Sequence, residues 1–392
     1  MGRTYIKNID GATIEIALRT APAFVLDAIK SSKDFRKLDE WIKGISFPTY
    51  RQLQKLAEKL RIPWTYFLLP PQSLKEKLQK RFEGLPSYYR SGIKESKIPD
   101  EVKFQILYIR RMQLLLSEMV QSLGRPTVGL IGKYSSTNDP RTLAQQLKQW
   151  LNISDHWFKH VKSPNQAFNL FVDKMSSKGI NVSISSVVEH SKVKIQREDC
   201  QGFALVDDYA PWIFINSEDS YQARLFTLIH ELVHLALGHS SIDETSGLFF
   251  RSNKANLEPV EIFCNQVAGL VLVSDSPLYQ LWQEISPNKP LKDAIYDIAK
   301  EFKVSRPVIA FRLRELNLIT DRDFFDFLKE LKKEEYEKPK RTGGSANLTI
   351  RNRIGKYFLT IASEAVAQNK VSIVNIYRAT KSKYVTYELL KA

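Results

Sequence analysis

One stretch, Ile229-His230-Glu231-Leu232-Val233-His234-Leu235-Ala236, constrains this chain more than any other. Its apolar residues read as a core helix carrying one polar stripe. Residues four apart on an α-helix sit about 40° apart around the axis and roughly 6 Å apart along it, so both imidazoles can reach one metal ion. Glu231 follows the first histidine and points to the side, where it can hold and deprotonate a water on that ion. Buried imidazoles and a carboxylate are costly without partners, and a metal ion is the obvious one. The chain has six histidines. A chance His-Glu-x-x-His in it is on the order of 1%. The bland alternative is a helix with two satisfied core histidines and a solvated glutamate.

A third histidine six residues after His234 would extend the pattern, but Ser240 stands there. His239 falls near the helix end, where capping or solvent contact is expected. A third donor should therefore come from another element, as a carboxylate. A new helix is expected from Glu258-Pro259, since proline suits the first helical position. Glu261, Asn265, Ala268 and Leu272 share one stripe of it. Glu261 is the favoured donor, although acidic residues also collect in first turns on dipole grounds alone. Glu258, Glu244, Asp243 and Cys264 rival it by type. Two imidazoles and a carboxylate suit zinc, Zn2+.

At 392 residues the chain has room for two or three domains and a substantial core. No apolar run approaches the roughly 20 residues that span a bilayer, so no membrane partner is expected. The N-terminus lacks an apolar signal region. Cys200 and Cys264 are the only cysteines, which fits a reducing cytoplasm and excludes a disulfide framework. The net charge of +15 is spread along the chain. It suits an anionic partner, nucleic acid or an acidic protein, as well as it suits an ordinary basic protein.

The expected fold is α+β and mostly helical. A small antiparallel sheet lies beside the metal-site helix, and a helical domain precedes it. Residues 1–72 form that first module. Thr49 is set to cap a helix carrying Leu53, Leu56, Ala57 and Leu60 on one face. Residues 73–139 read as a helical connector, with a long helix through Phe104, Ile109, Met112 and Met119. The metal-site domain runs over 140–332. Within it, Leu143–Leu151 and Pro164–Lys178 read as helices, Gly179–Ile184 as a turn into a strand, and Phe203–Val206 with Trp212–Ile215 as a hairpin. The strand Trp212–Ile215 is expected to offer an edge to an extended substrate, held through backbone bonds. Asn216-Ser217 are the expected cap of the metal-site helix. Residues 333–347 are charged and then rich in Gly and Ser, a linker. Residues 348–392 form a basic helical C-terminal piece with Ile350, Ile354, Phe358 and Ile361 on one face.

Two resemblances follow from these residues. Trp41-x-x-Gly44, Pro48-Thr49, Leu53-x-x-Leu56-Ala57 and Pro63 resemble the second half of an Xre-type helix-turn-helix. The first half is degenerate. The helix that would enter a major groove, Lys33 to Trp41, carries Asp34, Asp39 and Glu40 beside Lys33, Arg36 and Lys37. Carboxylates there oppose phosphate, so weak DNA binding at most is expected. Further on, Gly179-Ile180-Asn181-Val182, Cys200-Gln201-Gly202-Phe203-Ala204-Leu205, Pro211-x-Ile213-x-Ile215-Asn216, Arg224-x-Phe226-Thr227-x-x-His230-Glu231-Leu232-x-His234 and Glu261-x-x-Cys264-Asn265-x-Val267-Ala268 resemble, in order, the ImmA/IrrE family of zinc-dependent metallopeptidases. With the first module the resemblance covers residues from about 40 to about 320. Cys264, Val267 and Val273-Ser274 depart from the family's usual Ala, Phe and Met-Pro.

The family resemblance implies a zincin-like, gluzincin-type site. His230, His234 and Glu261 would bind zinc, and Glu231 would be the catalytic base. Val304-Ser305-Arg306-Pro307 and the helix after it resemble a small helix-turn-helix-like element. A helix pair completing the core is the preferred reading there. Tyr221, Arg224 and His239 are candidates to meet an oxyanion, and Asn265 to support a ligand. The implied function is cytoplasmic hydrolysis of a specific regulatory protein, such as a repressor or a mobile-element or stress regulator. The competing expectation is a binding-only transcriptional regulator, or the antitoxin of a toxin encoded next door, with a structural zinc site. No feature of the sequence fixes an oligomeric state.

Overall fold

The computed structural model describes residues 4–83, 85–90, 93–95, 98–135, 139–244, 258–333 and 346–385. The chain divides into two compact units, Met1–Leu85 and Pro86–Ala392. Most of the expected linker therefore lies outside the described residues, as do residues 245–257 of the polar loop after the metal-site helix.

The first unit holds α1 (Gly11–Arg19), α2 (Ala23–Lys30), α3 (Leu38–Ile42), α4 (Tyr50–Leu60) and α5 (Pro71–Lys80). Thr49 caps α4 through a reciprocal box with Gln52. The stripe Leu53, Leu56, Ala57 and Leu60 is buried. Helix α5 packs on α1, so the unit runs past residue 72. Lys33 to Trp41 is not one helix. Residues Lys33–Phe35 make a single 3-10 turn, and α3 begins at Leu38. Phe35 and Trp41 are both buried and meet edge to face at 6.4 Å. On one continuous helix, residues six apart lie about 120° around the axis from each other. Burying both rings against each other breaks the helix.

The second unit is built on a six-stranded sheet among the described residues. Its strands are β1 (Ser87–Arg90), β2 (Ile93–Glu95), β3 (Asn181–Ser185), β4 (Gly202–Leu205), β5 (Trp212–Asn216) and β6 (Ser241–Glu244), in the order β2-β1-β6-β4-β5-β3. The hairpin β4–β5 is antiparallel, with Phe203 opposite Phe214. The sheet as a whole is mixed rather than antiparallel, because β3 runs parallel to β5 and β1 to β6. Both β5 and β6 are antiparallel to β4. The helix joining β5 to β6 is thus a crossover that restores strand direction, which no tight hairpin can do. The expectation of a free edge on Trp212–Ile215 fails: β5 pairs with β4 on one side and β3 on the other.

Helices follow in the order α6 (Asp100–Ser122), α7 (Pro140–Leu151), α8 (Pro164–Ser177), α9 (Tyr221–Leu237), α10 (Pro259–Leu272), α11 (Asp275–Ile285), α12 (Leu291–Phe302), α13 (Arg306–Glu315), α14 (Asp321–Lys333), α15 (Ala346–Ile354), α16 (Lys356–Ala367) and α17 (Ile373–Thr380). Successive strand residues face opposite ways. Val182, Ala204, Ile213 and Ile215 join one core with α7, α8, α9 and α10. Trp212 meets Phe358 of α16 at 6.1 Å, and Phe203 stacks on Phe214 at 4.7 Å. Every residue of β5 is buried, which explains its unbroken apolar run. Helix α6 closes the hairpin: Gln113 donates to the carbonyls of Leu205 and Ala210, each at 3.0 Å.

The C-terminal piece is part of this unit. Ile354, Phe358, Ile361 and Ile376 are buried, with α15 and α16 on β3 and α16 and α17 on α6. Helix α13 packs against α10, α12 and α14, with Val308, Ile309, Ala310, Arg312 and Leu313 buried. The buried side of α13 thus belongs to the core of this unit, while Arg306, Phe311 and Arg314 stay partly exposed. Among the described residues, no helix is long and apolar enough to cross a membrane.

Candidate metal centre

Helix α9 carries the polar stripe. Ser220, not Asn216 or Ser217, caps it, accepting from Ala223 N at 3.2 Å. It ends at Gly238, whose φ of +78° suits a residue without a Cβ. The last carbonyls find backbone donors from another segment. Gly132 N reaches Leu235 O and Tyr134 N reaches Ala236 O, both at 3.1 Å. A Cβ on Gly238 would come within 3.0 Å of Gly132 Cα. The close approach of these two glycines fixes the end of the helix that bears His234.

Helix α10 lies across α9. Pro259 occupies its first turn, as expected, and Glu261 follows in that same turn. The far end of α10 is held by Arg312, which donates to Val273 O at 3.2 Å and pairs with Asp275 and Glu315. Burial pulls the Arg312 guanidinium below its ordinary pKa, and Glu315 opposes that pull. Gly269 leaves room for its stem, since a Cβ there would sit 2.9 Å from Arg312 Cδ.

The two helices bring His230, His234 and Glu261 together. Nε2 of His230 and Nε2 of His234 are 3.0 Å apart. Glu261 Oε2 is 3.3 Å from the first and Oε1 is 3.4 Å from the second. Bonds of about 2 Å to a tetrahedral ion place ligand atoms roughly 3.3 Å apart, so this donor set has the spacing zinc requires. No described hydrogen-bond donor satisfies either oxygen of Glu261. His230, Glu231, His234 and Glu261 are all at most 1% exposed. Two buried carboxylates beside two imidazoles call for a compensating positive charge, and a divalent cation fits. The residues present fit a zinc ion.

The rivals for the third position separate. Cys264 Sγ lies 3.8 Å from Nδ1 of His234, on the opposite side of the ring from the converging Nε2 atoms. Glu258 stands at the cap of α10, outside the cluster. Asp243 and Glu244 lie on β6, and their side chains fall outside the described residues. Asn265 donates to Glu261 O at 2.6 Å, so it steadies the turn that carries Glu261. Of the oxyanion candidates, Arg224 donates to Ser217 O and stacks 4.7 Å over the Tyr221 ring. Both belong to the first turn of α9, Arg224 roughly 9 Å and Tyr221 roughly 13 Å along the axis before His230. His239 is exposed beyond Gly238.

Strand β4 touches the same site from the sheet. A Cβ on Gly202 would lie 3.2 Å from Glu231 Oε1. The segment Cys200 to Leu205 was visible as a motif, but nothing in the sequence tied its glycine to Glu231.

Residues 177–314 match the IrrE N-terminal-like domain of the Peptidase M78 family. The match begins at the end of α8, ends in α13 and contains all three residues of the cluster together with Glu231. It supports the ImmA/IrrE resemblance over this part of the chain. It does not reach the first unit, so the Xre-like reading of that unit gains nothing from it. No curated protein matches the chain.

Proposed function

We propose that this chain is a zinc-dependent endopeptidase that hydrolyses a specific regulatory protein. The observation that carries the reading is the convergence of His230, His234 and Glu261 beside Glu231, inside a segment that matches a peptidase family. His230 and His234 would hold zinc through Nε2, and Glu261 through its carboxylate. When bound, zinc lowers the pKa of water to about 7 and polarises a carbonyl. Glu231 takes the proton of the attacking water and delivers it to the leaving amine. Gly202 leaves the Glu231 carboxylate the room this exchange needs. A repressor-like protein or a partner encoded next door, met in the cytoplasm, is the substrate class this reading favours.

A second reading is favoured by one observation, the complete burial of all four side chains. A closed site suits a structural metal in a binding-only regulator or antitoxin. The variant Glu231→Gln separates the two. It keeps size and a hydrogen bond but cannot accept a proton. A peptidase should keep its zinc and lose at least roughly 10²–10⁴-fold in cleavage, the range for a general base. Zinc by mass spectrometry and cleavage of, or protection against, the neighbouring gene's product are measured together. Full biological activity with zinc retained would replace the enzyme with the regulator.

A further inference from the structure

The outer nitrogen of His234 faces sulfur. Cys264 Sγ is 3.8 Å from Nδ1, and both side chains are buried. Cys264 and Glu261 sit one turn apart on α10. One helix therefore meets both sides of the same ring, the carboxylate at Nε2 and the thiol at Nδ1.

A neutral imidazole carries one hydrogen, and the partner of one nitrogen decides which nitrogen holds it. The usual outer partner of a metal-ligating histidine is a carboxylate, a carbonyl or a water. A carbonyl or carboxylate only accepts, so it demands hydrogen on the outer nitrogen whether or not metal is present. A thiol is both a weak donor and a weak acceptor.

We infer that Cys264 is a positioning residue for His234 that accommodates both of its tautomers. This inference rests on the metal-binding reading above. Without metal, Nε2 carries the hydrogen, and the thiol donates to Nδ1. With metal, Nε2 offers its lone pair to the ion, Nδ1 carries the hydrogen, and the sulfur accepts it. The imidazole's hydrogen moves from Nε2 to Nδ1, the thiol hydrogen turns away, and no proton is gained or lost. The ring keeps its orientation through the change, so α9 and α10 need not repack when metal enters.

The test uses the full chain and the variants Cys264→Ala and Cys264→Ser. Zinc affinity is measured by competition with a chelator. Loss of an outer partner costs about 10–100-fold in metal affinity, and a weak sulfur partner belongs near the low end. Cys264→Ala is therefore expected to lose about 10-fold, and Cys264→Ser, which keeps a group that both donates and accepts, to regain part of it. Nitrogen-15 shifts of His234 should place the hydrogen on Nε2 without metal and on Nδ1 with it. Circular dichroism of the metal-free variants checks that they fold. Equal zinc affinity in wild type and Cys264→Ala overturns the inference. So does a thiolate-to-cobalt charge-transfer band in the Co(II) protein that vanishes in Cys264→Ala, since Cys264 would then be a ligand. Failure of the metal reading looks different, with wild type itself taking up no zinc.

Discussion

The backbone of Gly202 on β4 lies directly against the carboxylate of Glu231 on α9. A methyl group at Gly202 would sit 3.2 Å from Glu231 Oε1, 3.0 Å from Phe214 O and 2.6 Å from Thr227 Cγ2. Sheet and helix approach this closely only because one strand residue has no side chain. Gly202→Ala should force α9 away from β4, at a cost of about 1–3 kcal/mol for overpacking. It should also move Glu231, and a misplacement of about 1 Å can cost roughly 10²-fold in rate. Denaturant unfolding and cleavage of the protein partner check the two effects. Wild-type stability and turnover in Gly202→Ala would mean that the contact constrains nothing.

The donor set makes a separate prediction about metal content. One zinc per chain is expected. His230→Ala and Glu261→Ala should each purify with far less. Wild type saturated at 100-fold over its dissociation constant should gain about 2.7 kcal/mol of stability by mass action, which a chelator removes. Mass spectrometry and melting with and without chelator read both. Full occupancy in Glu261→Ala would move the third ligand to another side chain, with Glu258 and the β6 carboxylates as the next to test.

A third prediction concerns the C-terminal helices. Asn181 of β3 donates to Ile354 O at 2.9 Å and accepts from Phe358 N at 2.8 Å, so one side chain bridges the break between α15 and α16. Gly355 at that break has φ of +95°, and a Cβ there would strike Asn181 at 2.4 Å. Phe358 is fully buried against Trp212. Phe358→Ala should therefore destabilise the whole second unit by about 3–5 kcal/mol, as for a large ring removed from a core. Urea unfolding of the full chain measures it. A loss below about 1 kcal/mol would mark the piece as an appendage, since substitutions away from the core usually cost within about 0.5 kcal/mol.

Much of the centre was legible because helical spacing is local. His230, Glu231 and His234 needed only the period of α9, and Pro259 announced the start of α10. The third donor was harder. Glu261 and Cys264 lie one turn apart on the same stripe, and only the ring orientation of His234 separates the nitrogen that each one faces. The hairpin β4–β5 was readable from two apolar runs around a turn. The rest of the sheet was not, because β1 and β6 pair across a long separation in sequence and their register is set in space. The parallel pairing of β3 with β5 is equally non-local, which is why β5 looked like an edge. The C-terminal helices had a visible apolar face, at Ile354, Phe358 and Ile361, but no local signal names the surface it covers.

The last prediction concerns nucleic acid. A net charge of +15 attracts phosphate, but attraction alone gives no sequence readout. The first unit offers little to read with. Where a groove-entering helix was expected, α3 has five residues. Asp34 is paired with Lys55 at 2.6 Å, and Glu40 with Lys37 at 3.3 Å, so two nearby cations already face carboxylates. Binding to duplex DNA should accordingly be weak, similar for unrelated sequences, and steeply lost as salt rises. Changing Arg36 and Lys37 together should lower it modestly and by the same factor for every duplex. Titration of labelled duplexes at several salt concentrations gives both slope and affinity. Tight binding to one operator at physiological salt, abolished by the Arg36 and Lys37 changes, would make the first unit a specific DNA reader despite its broken helix.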